Sequence, residues 1–97
     1  MDVAVSVNGV PIRLTGERWT HVVENHEELA GRMEDVLAAI RDPAWVIRGH
    51  GGSLVAYASS GRGKFLAVVY RELRADDGFV ITAFVSHKPR KHPKVWP

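Results

Sequence analysis

The sequence predicts an α+β domain in which an N-terminal hairpin and two helices pack on a roughly four-stranded antiparallel sheet. Three observations support this prediction: an alternating, hairpin-like start, two segments with helical periodicity, and strand-like runs joined by short turns. A chain of 97 residues, 45% of them hydrophobic, suits one compact domain. We expect this domain to occupy residues 1–88 and a basic tail to follow at 89–97.

The first predicted elements are two short strands joined by a tight turn. Apolar residues alternate with smaller or polar ones before and after Asn8-Gly9. An Asn-Gly pair is typical of a two-residue hairpin turn, in which both positions require positive φ. Pro11 has no backbone N–H, so we expect the second strand at a sheet edge or with that nitrogen facing solvent.

Two helices are predicted to follow the hairpin. Thr15 stands at an N-cap position, and Glu17 lies where a carboxylate favours the positive end of the helix dipole. The first helix has apolar spacing at i, i+3, i+4 and i+7, formed by Trp19, Val22, Val23 and His26. The second helix repeats that spacing with Met33, Val36, Leu37 and Ile40. Asp42-Pro43 is expected to end it, because proline cannot continue a helix.

The rest of the sequence predicts a meander of about four strands. Turns rich in Gly, Ser or Asp separate the apolar runs, and connections this short imply antiparallel neighbours. The predicted strands span 45–48, 53–58, 64–73 and 79–87.

Charge and composition narrow the classes of function. Residues 1–44 carry four Lys or Arg against eight Asp or Glu, a net charge of −4. Residues 45–97 carry nine against three, a net charge of +6, which suggests a basic half that meets a polyanion. Acidic helices and a basic tail would produce the same split without any partner. The chain has no cysteine, no leader-like start and no long apolar run, so we expect a cytoplasmic domain without a membrane partner.

Alternation along the last two predicted strands offers candidate substrate contacts. One side of the earlier strand holds Lys64 and Tyr70, and its other side holds Arg71. The more polar side of the later strand holds Thr82 and Phe84. If the polar sides align, a cation, a phenol, a hydroxyl and an aromatic ring share one open face, which suits a nucleotide whose base stacks on a ring. The alternative is that Tyr70 and Phe84 belong to the core.

The first helix adds candidates for proton transfer. His21 lies beside Arg18 on a polar strip, and an exposed imidazole there can donate or accept a proton near neutral pH. The alternative is that His21 only pairs with Glu17 and Glu24 across the helix surface. His26 lies within the apolar stripe, where a packed, hydrogen-bonded imidazole is the alternative to an RNA contact.

Neither a metal site nor a cofactor is predicted. His21 and His26 are five residues apart, so on a regular helix their side chains point about 140° apart and cannot share an ion. Covalent catalysis has no support either, since cysteine and a Gly-x-Ser-x-Gly elbow are absent. In the basic tail, Lys88 and Arg90 are candidate phosphate contacts, with a solvated chain end as the alternative.

Four motifs together give the sequence a family resemblance. They are LTxERWxHVxxxHxEL at 14–29, VLxxIxxP at 36–43, KxxxVVYR at 64–71 and GFVITAF at 78–84. In combination they resemble the small phage- and toxin-associated nucleases of the barnase–EndoU–colicin–RelE-like superfamily. One departure is Glu27, which stands where proline is expected after the second histidine. The resemblance implies two N-terminal helices on a four-stranded antiparallel sheet whose open face holds the active site.

The resemblance and the residues together suggest a metal-independent endoribonuclease that cleaves single-stranded RNA by 2′-hydroxyl attack. The hypothesis gives His21 the acid–base role, and gives Lys64 and Arg71 the stabilisation of the charged phosphorane. Thr82 would bind a phosphate oxygen and Tyr70 would position the nucleotide. The expected RNA-binding residues are Arg18, His26, Phe84, Lys88 and Arg90.

Two alternatives stay open at this point. In the first, the same fold serves as a non-catalytic module that binds RNA or protein, with its acidic helical half as the surface for an antitoxin-like partner. A homodimer or larger homo-oligomer joined through the edge of the first hairpin is the third hypothesis.

Overall fold

Two helices cover one face of a seven-stranded mixed sheet in the computed structural model, which describes residues 1–90 and 92–97. The strands are β1 (Asp2–Val5), β2 (Pro11–Leu14), β3 (Trp45–Arg48), β4 (Leu54–Ser59), β5 (Phe65–Arg74), β6 (Asp77–Ser86) and β7 (Lys94–Trp96). The helices are α1 (Gly16–Asn25) and α2 (Met33–Arg41), with 3₁₀ turns at Glu27–Leu29 and His50–Gly52. The predicted α+β class and both predicted helices are confirmed.

The strand order is β1-β2-β6-β5-β4-β3-β7. Every neighbouring pair is antiparallel except β2 and β6, which are parallel and pair Ile12 with Gly78 and Arg13 with Phe79. The expectation of a roughly four-stranded sheet is therefore wrong. The hairpin joins the sheet through β2 instead of packing on it, and Lys94–Trp96 of the expected tail pairs with β3 as a seventh strand.

The N-terminal hairpin forms around Asn8-Gly9 with a longer turn than the two-residue type predicted. Val5 pairs with Pro11, and Gly9 donates its N–H to the Ser6 carbonyl at 2.8 Å. Gly9 alone of the pair takes a positive φ, +82°, which is the three-residue hairpin pattern of a turn followed by a left-handed glycine. β2 lies between β1 and β6 and so is not the edge strand that was expected. Pro11 is the first residue of β2 and precedes the two residues that pair with β6, so its missing N–H costs no hydrogen bond to β6.

Local capping signals fix the helices as predicted. The Thr15 hydroxyl accepts a hydrogen bond from the Arg18 backbone N–H at 3.1 Å, which satisfies one free N–H at the start of α1. Helix α2 ends at Arg41, just before Asp42-Pro43. The buried side chains of the two helices meet the sheet in one core, and they are Val22, Val36, Leu37, Ala39 and Ile40.

A β-bulge in β6 decides which side chains share a face. Val69 pairs with Thr82 whereas the next residue, Tyr70, pairs with Val80, so one extra residue of β6 separates the two pairs. Such a bulge reverses the alternation on either side of it. Val80 therefore faces the helices, and Thr82 and Phe84 face the opposite side of the sheet.

The expected alignment of Tyr70 with Thr82 and Phe84 is wrong because of the strand register: Thr82 pairs with Val69, the neighbour of Tyr70 that points to the opposite face. Tyr70 is fully buried on the helix-covered face, where its hydroxyl has no hydrogen-bond partner among the described residues. Burial, and secondarily the Glu72 carboxylate, raises the pKa of Tyr70 above its ordinary value. Phe84 and Thr82 instead lie on the face turned away from the helices.

That second face is apolar and aromatic more than polar. Ile47, Val55, Tyr57 and Ala67 are buried there, and four partly buried side chains pack around them, Trp45, Phe65, Val69 and Phe84. The segment after β6 crosses this face, where the Arg90 backbone N–H donates to the Tyr57 hydroxyl at 3.3 Å. Within the described ranges, neither helix has the length and apolar character needed to cross a bilayer.

Candidate functional site

Several polar side chains converge where the helices meet the end of the sheet. A cavity of about 450 Å³, the corner cavity, opens at this point. Its walls come from the first 3₁₀ turn, the start of α2, the β4–β5 loop and the end of β6. The lining residues are Glu28, Arg32, Ser60, Lys64, Val85 and His87.

Arg32 ties the two sides of the corner cavity together. Its Nε donates to the Asp35 carboxylate at 2.9 Å, and its Nη2 donates to the Ser60 hydroxyl at 2.8 Å. Backbone hydrogen bonds between Ser60 and Lys64, and between Lys64 and Gly61, close the loop tightly before β5. Lys64 is thereby held at the cavity with its side chain exposed.

His26 reaches the same corner from the end of α1. Its Nδ1 lies 4.0 Å from the Glu28 carboxylate, and its ring centroid lies 6.0 Å from that of Phe84. This contact is possible because β2 pairs with only the first part of β6, so α1 and the 3₁₀ turn contact the rest of that strand. His26 thus lies beside Glu28, which lines the corner cavity.

The side chains of His26, Glu28, Arg32, Lys64 and His87 together form what we call the corner site. It combines two imidazoles, one carboxylate and two permanent cations. Imidazoles exchange protons near neutral pH, and Lys and Arg bind phosphate oxygens. This set of groups is suited to acid–base chemistry on a phosphodiester. Among residues 1–90 and 92–97, no three His, Cys, Asp or Glu side chains are grouped so as to hold a metal ion.

The five expected catalytic residues do not form one cluster. Lys64 lines the corner cavity, but His21 lies exposed on α1 and is not among the residues lining that cavity. Arg71 and Thr82 point to the aromatic face of the sheet, and Tyr70 is buried beneath the helices. The expected convergence of His21 with Lys64 is therefore absent from the corner cavity.

The expected RNA-binding residues fall into two groups and one outlier. His26 and Phe84 contact each other beside the corner site. Lys88 and Arg90 line a second cavity of about 710 Å³, the basic pocket, which opens over Trp45 on the aromatic face. Arg18 is exposed on α1 and lines neither cavity.

Sequence reasoning overlooked Glu28, Arg32 and Trp45, whereas the strand pattern had already offered His87 as a side chain that could donate a proton to a phosphodiester or pair with it. Glu28 stands two residues after His26 in the first motif, and this spacing is the signal that was available. Arg32 and Trp45 carry no local signal, because the contacts that bring them to the cavities join distant parts of the chain. Searches of family models, of curated proteins and of solved structures find no match to this chain.

Proposed function

We propose that this domain is an endoribonuclease that cleaves single-stranded RNA at the corner site without a metal ion. The observation that carries the proposal is the cavity lined jointly by Glu28, Arg32, Lys64 and His87, with His26 next to Glu28. The motif resemblance to toxin-associated nucleases supports the same class of reaction.

The corner site has a group for each part of 2′-hydroxyl transfer chemistry. In this proposal His26, whose Nδ1 faces the Glu28 carboxylate, takes the proton from the 2′-hydroxyl as its oxygen attacks phosphorus. His87 gives a proton to the departing 5′-oxygen as the P–O5′ bond breaks. The products are a 2′,3′-cyclic phosphate and a 5′-hydroxyl end. Arg32 and Lys64 stabilise the added negative charge of the phosphorane.

The test is cleavage of end-labelled single-stranded RNA by the purified protein with excess chelator. We expect wild type to produce cyclic phosphate ends, and His26→Gln and His87→Gln each to lower the rate by roughly 10²- to 10⁴-fold, the usual contribution of general acid–base catalysis. Lys64→Met should lower the rate as well.

His21→Gln is the matched control, because it removes an exposed imidazole from α1, the helix that ends just before His26. Its rate should remain that of wild type. Intact RNA after incubation with wild type would refute catalysis. Loss of activity in His21→Gln alone would move the acid–base role to the solvent side of α1 and refute the corner site.

A non-catalytic RNA-binding module is the second candidate function, and the basic pocket favours it. Five basic side chains line this pocket together with the Trp45 indole, and such a combination of cations and an aromatic ring binds nucleic acid without requiring cleavage. Salt-dependent binding of RNA that stays intact would support this candidate over the nuclease.

A further inference from the structure

The corner cavity and the basic pocket share one lining residue, His87. The geometry points to the basic pocket as a subsite for an unpaired nucleotide of single-stranded RNA, adjacent to the phosphate held at the corner site. The choice of RNA and of the adjacent phosphate rests on the proposed function. The pocket itself is argued from its own aromatic and charged groups.

An ordered aromatic platform forms the floor of the pocket. The Trp45 ring stacks on Tyr57 with centroids 5.0 Å apart and planes inclined by 21°, and Phe65 contacts it edge-on at 5.2 Å. These neighbours fix the indole, so a base that stacks on it costs little side-chain entropy. Base–aromatic stacking accepts any base, because every base has a π face.

The rim of the pocket is positively charged. Besides Trp45 and Pro89, its lining residues are His87, Lys88, Arg90, His92 and Lys94, and the described part of the chain places no carboxylate in the lining. Two of these cations are held by the fold. The Arg90 backbone bonds the Tyr57 hydroxyl, and Lys94 lies in β7, which pairs with β3. This charge is complementary to a phosphodiester backbone.

Lys94 currently occupies the place that a base would take. Its Nζ lies over the Trp45 ring, 5.6 Å from the centroid, in a cation–π contact. In the proposed complex a base replaces the ammonium on the ring, and the flexible Lys94 side chain pairs with a phosphate instead. A stacked base on this floor must be unpaired, which excludes duplex RNA as the occupant.

The test uses a fluorescein-labelled 2′-O-methyl RNA oligonucleotide, which cannot undergo 2′-hydroxyl attack, so fluorescence anisotropy reports binding alone. We expect Trp45→Leu to weaken binding about tenfold, the order of one stacked base, and Trp45→Phe to restore most of that loss. Arg90→Gln should weaken binding several-fold. Arg41→Gln, which removes an equal charge from the exposed end of α2, should have no effect.

An abasic oligonucleotide of the same length separates stacking from charge. Wild type and Trp45→Leu should bind it equally, whereas Arg90→Gln should bind it more weakly. The subsite would be overturned if wild type and Trp45→Leu bound the base-containing oligonucleotide equally well. It would also be overturned if wild type bound a duplex of the same oligonucleotide as tightly as the single strand. Trp45-dependent binding together with intact unmodified RNA would sustain the subsite and refute the nuclease. Cleavage of unmodified RNA, together with no effect of Trp45→Leu on binding, would sustain the nuclease and refute the subsite.

Discussion

Tyr70 shows how a residue attractive for catalysis can serve packing instead. The phenol ring fills the core beneath the helices, and its hydroxyl is buried without a hydrogen-bond partner among the described residues. A buried hydroxyl without a partner costs about 1–3 kcal/mol. Because its pKa is raised by burial and by Glu72, the protonated form is the one that the fold favours.

Tyr70→Phe should leave the free energy of unfolding at pH 7 unchanged or raise it by about 1 kcal/mol, because it removes an oxygen that bonds nothing. In wild type, the pKa of Tyr70 is higher in the folded than in the unfolded state. The resulting contribution of Tyr70 to stability is complete below the unfolded pKa of about 10 and is lost as the pH rises through the folded pKa. The variant should lack this alkaline loss. Urea titrations at pH 7 and above pH 10 measure both effects, and a marked destabilisation at pH 7 would contradict the expectation.

The pKa of Asp77 is shifted in the opposite direction from that of Tyr70. Arg13 Nε donates a hydrogen bond to Asp77 Oδ1 at 2.8 Å. This hydrogen bond is the main cause that lowers the pKa of Asp77 below its ordinary value, and Arg74 adds to the effect. The pair links β2 to the start of β6. Its contribution to stability is therefore present above the unfolded pKa of about 3.9 and is lost as the pH falls through the folded pKa.

Asp77→Asn should lower the melting temperature relative to wild type at pH 7, and the difference should shrink as the pH falls through the folded pKa of Asp77. Thermal scans across this acid range measure it. The exposed neighbour provides the control, since Asp76→Asn should shift the curve little. A difference that is the same at every pH would show that the ion pair is not its source.

Among the elements, the bulge in β6 and the parallel contact between β2 and β6 determine the shape of the sheet. Gly78 lies at that contact, where a Cβ atom would come within 2.5 Å of the Arg71 carbonyl and 2.6 Å of Ile12 Cδ1. Only a residue without a side chain allows β2 to approach so closely. The junction that brings the hairpin into the sheet thus depends on one glycine.

Gly78→Ala should reduce the free energy of unfolding by about 1–3 kcal/mol, the usual cost of overpacking a core. Gly16→Ala is the control, because the Cβ added at that helix start meets nothing within 4 Å. Denaturant titrations of both variants give the comparison. If the two substitutions have the same small effect, the close approach of β2 to Gly78 is not a constraint.

The elements also show what a single sequence can and cannot predict. The Thr15 cap and the end of α2 before Pro43 depend on neighbouring residues, and both were predictable. The side chains of β5 that Thr82 joins depend on the register between β5 and β6, and the pairing of β7 with β3 joins segments almost fifty residues apart, so neither has a local signal. For the same reason Lys64 and His87 could be named as candidates from the strand pattern, but Arg32, which lines the same cavity, could not.

At the scale of the whole molecule, the positive charge of the second half of the chain lies around the two cavities. The basic second half supplies Lys64, Arg90 and Lys94 to two cavities that meet at His87. The acidic first half supplies both helices, and it contributes one carboxylate, Glu28, to the corner cavity. A field of this kind favours a polyanion on one end of the domain.

Oligonucleotide binding should therefore weaken as salt increases, with a slope of about −0.7 per phosphate neutralised in a plot of log affinity against log salt. Arg90→Gln should make that slope shallower by about 0.7, because one such contact is lost. Arg41→Gln should leave the slope unchanged. Anisotropy titrations at four salt concentrations measure it, and identical slopes for wild type and Arg90→Gln would place Arg90 outside the phosphate path.

The parallel pairing of β2 with β6 also has a kinetic consequence. Residues 12 and 78 are neighbours in the sheet although 66 positions separate them along the chain. During synthesis on the ribosome, the N-terminal hairpin emerges long before its neighbour does and must wait for it. Contacts of such long range close late and slow folding. We therefore expect the hairpin to dock last, after β3 to β6 have assembled with the helices.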